Sequence, residues 1–172
     1  MQFLSPEQCH RWTADHGYRF TSRPRYADLE DSSFQAYKFL IPSDAGRRVA
    51  LSKLLWDAVS QTSGEALLWV TEWGVWGSGE HMPLAMTLRR AFGEPRPLIE
   101  APGHCFRLGE DEDGISFLAT AILFLWDAYL LSADGKVTVF VSHDEFGVVL
   151  ARDKATLAEI QRRLEIFDGA TA

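Results

Sequence analysis

The chain has 172 residues, of which 47% are hydrophobic and 24% are charged, so it is long enough for one folded domain and too apolar for wholesale disorder. Its 24 acidic and 17 basic side chains give a net charge of −7 at pH 7, which disfavours binding to nucleic acid or to an anionic membrane surface. The N-terminal residues have neither the cationic start nor the apolar run of a secretory signal, which predicts a cytoplasmic location.

Capping and turn signals predict the elements in the first half of the chain. Ser5 and Gln8 make a capping box around Pro6, a residue type that favours the first position of a helix, and Gly17 suits the left-handed end of that helix. The polar stretch 18–33 predicts mostly loop. In chain order the sequence predicts a helix over about 6–16, a strand over 34–41, a helix from a cap at Ser43 or Asp44 to about 60, and a strand over 66–73. A helix over about 79–92 follows, and its residues available for burial are Leu84, Met86, Leu88 and Ala91.

The second half of the chain predicts an irregular crossing, one very apolar helix and a run of strands. Three prolines make 94–103 irregular. A helix that opens at Asp111 or Glu112 has a body, 115–125, that is apolar on nearly every side and must be covered by other elements. Asp134-Gly135 is a strong hairpin signal. The remaining predicted elements are strands over 104–108, 129–133, 136–141 and 146–151, a helix from the Asp153 cap to about 167, and a frayed tail over 169–172.

These elements predict an α+β fold in one domain over 1–172. We expect a single mixed sheet with an antiparallel C-terminal meander, covered by about five helices. The most apolar run, 115–126, is too short to span a bilayer and is better explained as a buried helix. The two cysteines, Cys9 and Cys105, are far apart in sequence, which indicates reduced thiols and no disulfide framework.

The stretch WVTEWGVWGSGEHMP (69–83) joins a predicted strand to a predicted helix and carries three tryptophans and three glycines. Its glycine order is G-x-x-G-x-G without the lysine of a P-loop, and Glu80 sits where an anion would bind, so it predicts a plain turn rather than a phosphate site. Trp73 and Trp76 follow the end of the strand. Such rings either cover the core, which is the more usual outcome, or anchor a protein interface.

Two further stretches carry groups that could do chemistry if the fold brought them together. In SHDE (142–145), His143 beside a carboxylate suits general-base catalysis or metal binding, although the same composition is typical of a solvated turn. In EAPGHC (100–105), a cysteine follows a histidine, and the pair could act as nucleophile and base, although cysteine is more often a small buried hydrophobe. The candidate catalytic groups are therefore Glu100, His104, Cys105, His143 and Asp144.

The sequence predicts no metal site and no cofactor. His10 and His16 are six residues apart on one predicted helix and face different sides, and the other histidines are scattered along the chain. The acids at 110–113 lack the periodic oxygen ligands of a calcium loop and are explained as partners of the helix dipole.

Four phrases spread over 69–146 carry a resemblance to known proteins: WVTEWGVW, EAPGHCF, LFLWDAYL and VFVSHDEF. They resemble a similar run of phrases in a family of small bacterial proteins without assigned activity, and that resemblance implies no ligand and no catalytic residue. Small, acidic, tryptophan-containing proteins of this kind also resemble the immunity proteins of bacterial toxin systems. That second resemblance implies a protein partner.

We expect a non-enzymatic cytoplasmic protein that binds another protein, because bulky apolar rings are gathered in this sequence while reactive groups are dispersed. Acidic charge would speed encounter with a basic partner, such as a toxin nuclease. The alternatives are a structural subunit and a small hydrolase or metal-assisted enzyme, and the enzyme requires His104 and His143 to meet each other or one carboxylate. The predicted binding residues are Trp73 and Trp76 as anchors, with Glu72, Glu80, Asp144 and Glu145 around them.

Overall fold

Seven strands form one sheet with five helices packed around it, within the residues that the computed structural model describes, which are 1–20, 33–74 and 81–168. The elements are β1 (Gln2–Leu4), α1 (Pro6–Asp15), β2 (Gln35–Leu40), α2 (Ala45–Ser63), β3 (Glu65–Glu72), α3 (His81–Ala91), β4 (Gly103–Arg107), α4 (Asp111–Leu123), β5 (Asp127–Ser132), β6 (Val137–Val141), β7 (Phe146–Ala151) and α5 (Lys154–Asp168). The strand order is β1-β4-β3-β5-β6-β7-β2, and all six pairings are antiparallel. The α+β class and the C-terminal meander are therefore confirmed.

The two faces of the sheet are buried against different partners. Side chains alternate along β3, so that Leu68 and Val70 join the larger core with α2, α4 and α5, while Leu67 and Trp69 join a smaller core on the opposite face. Cys9 of α1 belongs to that smaller core. None of the helices in the described ranges is long and apolar enough to cross a membrane.

Local signals explain where several elements begin and end. The Ser5 hydroxyl accepts a hydrogen bond from the Gln8 amide, and the Gln8 side chain accepts one from the Ser5 amide, which confirms the predicted capping box. The Asp44 carboxylate caps α2 in the same way. Gly64 ends α2 in the left-handed conformation, with φ of 67°, which glycine adopts without strain.

Two departures from the predicted elements shape the sheet. The short strand β1 was not predicted, and it pairs along β4 at the edge of the sheet. The helix α4 ends at Leu123, two residues earlier than predicted, because Leu125 adopts a left-handed conformation with φ of 53°. The chain then turns at once into β5, which starts at Asp127 rather than at 129.

The helix α3 departs in part from the burial that its sequence predicts. Its buried positions are Ala85 and Arg89, whereas Leu84 is 61% exposed and Ala91 is also exposed. The reason is that Arg89 finds hydrogen-bond acceptors inside the protein, so the side of the helix that carries it turns inward. The prediction that Leu84 and Ala91 are buried is therefore wrong.

Candidate functional site

Charged residues from three segments meet at one end of the sheet. Glu72 is the last residue of β3 and Asp127 the first of β5, and they are cross-strand partners beyond a bulge that begins at Val70. His143 lies in the turn between β6 and β7. Because β3, β5 and β6 are neighbours in the sheet, these three side chains converge although they are 16 or more residues apart in sequence.

Hydrogen bonds fix the geometry of this cluster. Oδ1 of Asp127 accepts a hydrogen bond of 2.7 Å from the backbone amide of His143 and lies 2.8 Å from Nδ1 of the same residue. The other ring nitrogen, Nε2, lies 3.6 Å from Oδ1 of Asp144. The side chains of His143 and Asp127 are 19% and 15% exposed, so the imidazole is held between two carboxylates in a half-buried position. Such a group can exchange a proton or bind a cation.

The backbone on both sides of the cluster is unusual. Leu125, two residues before Asp127, and Glu145, two residues after His143, both have positive φ, at 53° and 60°. The Glu145 carboxylate accepts a hydrogen bond of 2.7 Å from Nη2 of Arg48, which is itself buried. Arg48 therefore neutralises Glu145, while the carboxylates of Glu72, Asp127 and Asp144 surround His143.

His104 lies elsewhere in the sheet and is held in a neutral form. It pairs with Leu68 of β3, which pairs with Leu130 of β5, so His104 is three strand spacings, roughly 14 Å, from β6 and its following turn. Its Nε2 lies 2.8 Å from Nη1 of Arg89, and because a guanidinium only donates, this nitrogen is the acceptor. His104 and His143 thus share no carboxylate, and the convergence that the enzyme hypothesis needs is not found between them.

The buried position of His104 predicts that the protein loses stability in mild acid. Desolvation, helped by the positive charge of Arg89, lowers the pKa of His104 to about 3. In the unfolded chain the pKa returns to about 6.5, so between these two values the unfolded state binds more protons, and the free energy of unfolding falls as pH falls. We expect His104 alone to remove about 2 kcal/mol between pH 7 and pH 5. Urea denaturation at both pH values measures this, and His104→Gln should show a smaller difference. An equal difference in the variant would contradict this assignment.

Cys105 and Glu100 are also separated from His143. Cys105 is buried on the opposite face of β4, where its sulfur lies 3.4 Å from Oε1 of Glu65. Burial and the Glu65 charge raise the pKa of the Cys105 thiol to about 12, so it stays protonated at neutral pH. Glu100 is exposed in the crossing before β4. The fold therefore does not bring the predicted enzyme residues into one cluster.

The predicted binding residues are distributed as follows. Glu72, Asp144 and Glu145 lie at the His143 end of the sheet, and Trp73 is half-buried against the larger core. Trp76 and Glu80 lie outside the described residues, so their role stays a prediction.

The helix α3 carries an apolar surface that faces outward. Leu84 is 61% exposed, Phe92 is 40% exposed, and Leu88 between them is half-buried. Leu84 and Leu88 are four residues apart and therefore lie on one side of α3. Phe92 is the first residue after the helix, and its ring packs edge-on against Phe117 with 5.6 Å between the ring centroids. We call these three side chains the α3 stripe.

Ala85, Leu88 and Arg89 of α3 line a small cavity together with Val70 and Trp126, and Trp126 directly precedes Asp127 of β5. Leu88 of the stripe and Trp126, the residue before Asp127, therefore line the same cavity.

Asp127 and Arg89 are the residues that sequence reasoning missed. Asp127 stands in the phrase LFLWDAYL, a single charge between two apolar runs. A charge interrupting such a run is a usable signal, but its partners depend on which strands are neighbours. Arg89 stands beside Arg90 in a helix, and nothing local distinguishes the buried arginine from the exposed one.

Comparison with known proteins adds no family assignment. No protein-family model, no curated protein and no solved structure matches this chain. Both resemblances described in the sequence analysis therefore stay predictions. The residues described above are the basis on which a function can be argued.

Proposed function

We propose that this protein is a non-enzymatic binding protein whose partner is a basic protein that covers the α3 stripe. One observation carries the proposal: α3 buries Arg89, while Leu84 on the helix and Phe92 directly after it are exposed. Globular proteins usually do the reverse, because apolar area removed from water stabilises the fold by about 25 cal/mol per Å². A helix that leaves this area in water gains the same stabilisation when a partner covers it.

The charge of the neighbouring surface supports a basic partner. The chain carries a net charge of −7, and the carboxylates of Glu72, Asp127 and Asp144 lie around His143. Asp127 directly follows Trp126, which lines a cavity together with Leu88 of the stripe. A partner that places apolar side chains on the stripe would bring the edge of its own binding surface next to these carboxylates. Complementary charge speeds such an encounter, and this acceleration weakens as the ionic strength rises. Trp73, which follows Glu72 directly, would be the aromatic anchor between the two surfaces.

A charge introduced into the stripe tests this proposal. Leu84→Asp should leave the fold intact, since the side chain is 61% exposed, but should weaken partner binding at least about tenfold. Leu108→Asp is the matched control, because Leu108 is 85% exposed at the end of β4 and is not part of the stripe. Quantitative affinity capture with the wild type and both variants should identify one basic protein that only Leu84→Asp fails to retain.

The identified protein must then bind in purified form. We expect an association rate that decreases as salt is added, measured by surface plasmon resonance. Retention of that protein by Leu84→Asp, or a rate independent of salt, would contradict the proposal. So would a concentration-dependent dimer that Leu84→Asp abolishes, because the stripe would then be covered by a second copy of the chain.

A further inference from the structure

We propose that Glu72, Asp127 and His143 bind a divalent cation, and that zinc is the ion these ligands suit best. The three residues each offer one ligand atom, and these atoms all lie within 4.8 Å of one another. Ligands around a tetrahedral zinc, at bond lengths of about 2.1 Å, lie about 3.4 Å apart. Asp127 and His143 are already near that spacing, at 2.8 Å between Oδ1 and Nδ1. Glu72 is exposed, so its side chain can rotate to close the site.

The positions of the two carboxylates favour a cation between them. Glu72 and Asp127 are paired directly across β3 and β5. Like charges at directly opposite positions destabilise a sheet. A divalent cation between the two carboxylates would attract both of them and outweigh their mutual repulsion. Asp127 is also held in place by the backbone amide of His143, so one ligand is already oriented by the fold.

The hydrogen bond between His143 and Asp127 indicates how the ion would enter. Nδ1 of His143 and Oδ1 of Asp127 lie 2.8 Å apart, the distance of a hydrogen bond with one proton between them. The cation takes the place of this proton, so both atoms become ligands. If His143 is doubly protonated, one proton goes to solvent, and if it is neutral, the proton moves from Nδ1 to Nε2. The cation and the proton therefore compete for Nδ1.

Asp144 supplies a second and independent feature of a metal site. A histidine that binds a metal through one nitrogen usually donates its other N–H to a carboxylate. Oδ1 of Asp144 lies 3.6 Å from Nε2 of His143, on the side away from Asp127. Asp144 is thus a positioning residue that would hold the ring with Nδ1 toward the ion.

The ligand set distinguishes between ions. Calcium and magnesium prefer oxygen ligands alone, whereas an imidazole with two carboxylates suits zinc and neighbouring transition metals. Three protein ligands also leave one tetrahedral position for water or for a group from another molecule.

Isothermal titration calorimetry on the purified full-length protein, stripped of metal, tests this proposal. We expect zinc to bind with 1:1 stoichiometry, and magnesium and calcium to bind far more weakly. Glu72→Gln and His143→Gln should each weaken zinc binding by roughly 100-fold or more, and Asp144→Asn by about 10- to 100-fold.

Glu145→Gln is the matched control, since it removes a negative charge from the same turn but from a carboxylate bonded to Arg48. It should bind zinc within about threefold of the wild type. Absence of 1:1 zinc binding, or binding that survives both Glu72→Gln and His143→Gln in folded protein, would overturn the proposal. Equal loss in Glu145→Gln would also do so, because the effect would then be one of general charge. The titration contains no partner protein, so its outcome is separate from that of the α3 stripe.

Discussion

Replacing Arg89 by alanine should lower the free energy of unfolding by about 4 kcal/mol. The guanidinium is 1% exposed, donates to the carbonyl oxygens of Ala101 and Arg96, and donates to Nε2 of His104. Its removal takes the donor from two buried acceptors, His104 and Ala101, and from the part-buried carbonyl of Arg96. A buried acceptor left without a donor costs about 1–3 kcal/mol, and this cost is partly offset because a charge is no longer buried. The side chain also packs over the ring of Phe3, and that contact is lost too.

Arg90→Ala is the matched control for this measurement. Arg90 is the next residue of α3 and is exposed, so its loss should change the free energy of unfolding by less than about 0.5 kcal/mol. Urea denaturation of both variants, followed by circular dichroism, gives the comparison. A loss below about 1 kcal/mol for Arg89→Ala would contradict the view that this arginine anchors α3.

The same contacts explain why α3 presents an apolar surface. Arg89 is joined to β4 through His104 and to the crossing before β4 through Ala101. These bonds fix the rotation of the helix about its axis, which turns Leu84 to solvent. A loosened α3 should therefore also weaken binding of a partner to the stripe.

Much of the fold follows from local signals in the sequence. Three such signals are the capping box at Ser5, the cap at Asp44 and the Asp134-Gly135 turn. In each of them nearby residues supply hydrogen-bond partners for backbone groups at the end of a helix or strand. The strand β1 has only three residues, too few for a periodic pattern, and it exists because β4 offers it an edge. The orientation of α3 was also beyond local reasoning, since it depends on acceptors contributed by distant residues.

The candidate cation site could be predicted only in part. His143 with an adjacent carboxylate was recognised as a potential ligand, and Glu72 was recognised as part of a charged surface. The carboxylate that organises the site is Asp127, whose position follows from two non-local facts. The left-handed Leu125 starts β5 at Asp127, and the pairing of β5 with β3 sets it opposite Glu72. Neither the strand order nor that register can be read from a single sequence.

Gly114→Ala should lower the free energy of unfolding by about 3 kcal/mol. Gly114 lies in the first turns of α4, where a Cβ would overlap the indole ring of Trp56 in α2. That ring is 2% exposed and is held by a hydrogen bond of 2.9 Å from Nε1 to Asp111, so it has no room to move aside. Alanine improves helix propensity by about 1 kcal/mol, but the overlap forces α4 away from α2 and costs more than that.

Two comparisons separate this overlap from a general intolerance of alanine. Gly46→Ala is the matched control, because Gly46 is exposed near the start of α2 and a Cβ there meets only the Asp44 carboxylate, at 3.2 Å. It should leave stability unchanged or raise it by up to about 1 kcal/mol. In a Trp56→Leu background the penalty of Gly114→Ala should shrink by about 2 kcal/mol, because the overlapping ring is gone. An undiminished penalty in that background would mean that something other than the indole ring constrains α4. The close approach of α2 and α4 would then no longer explain why this apolar helix contains a glycine.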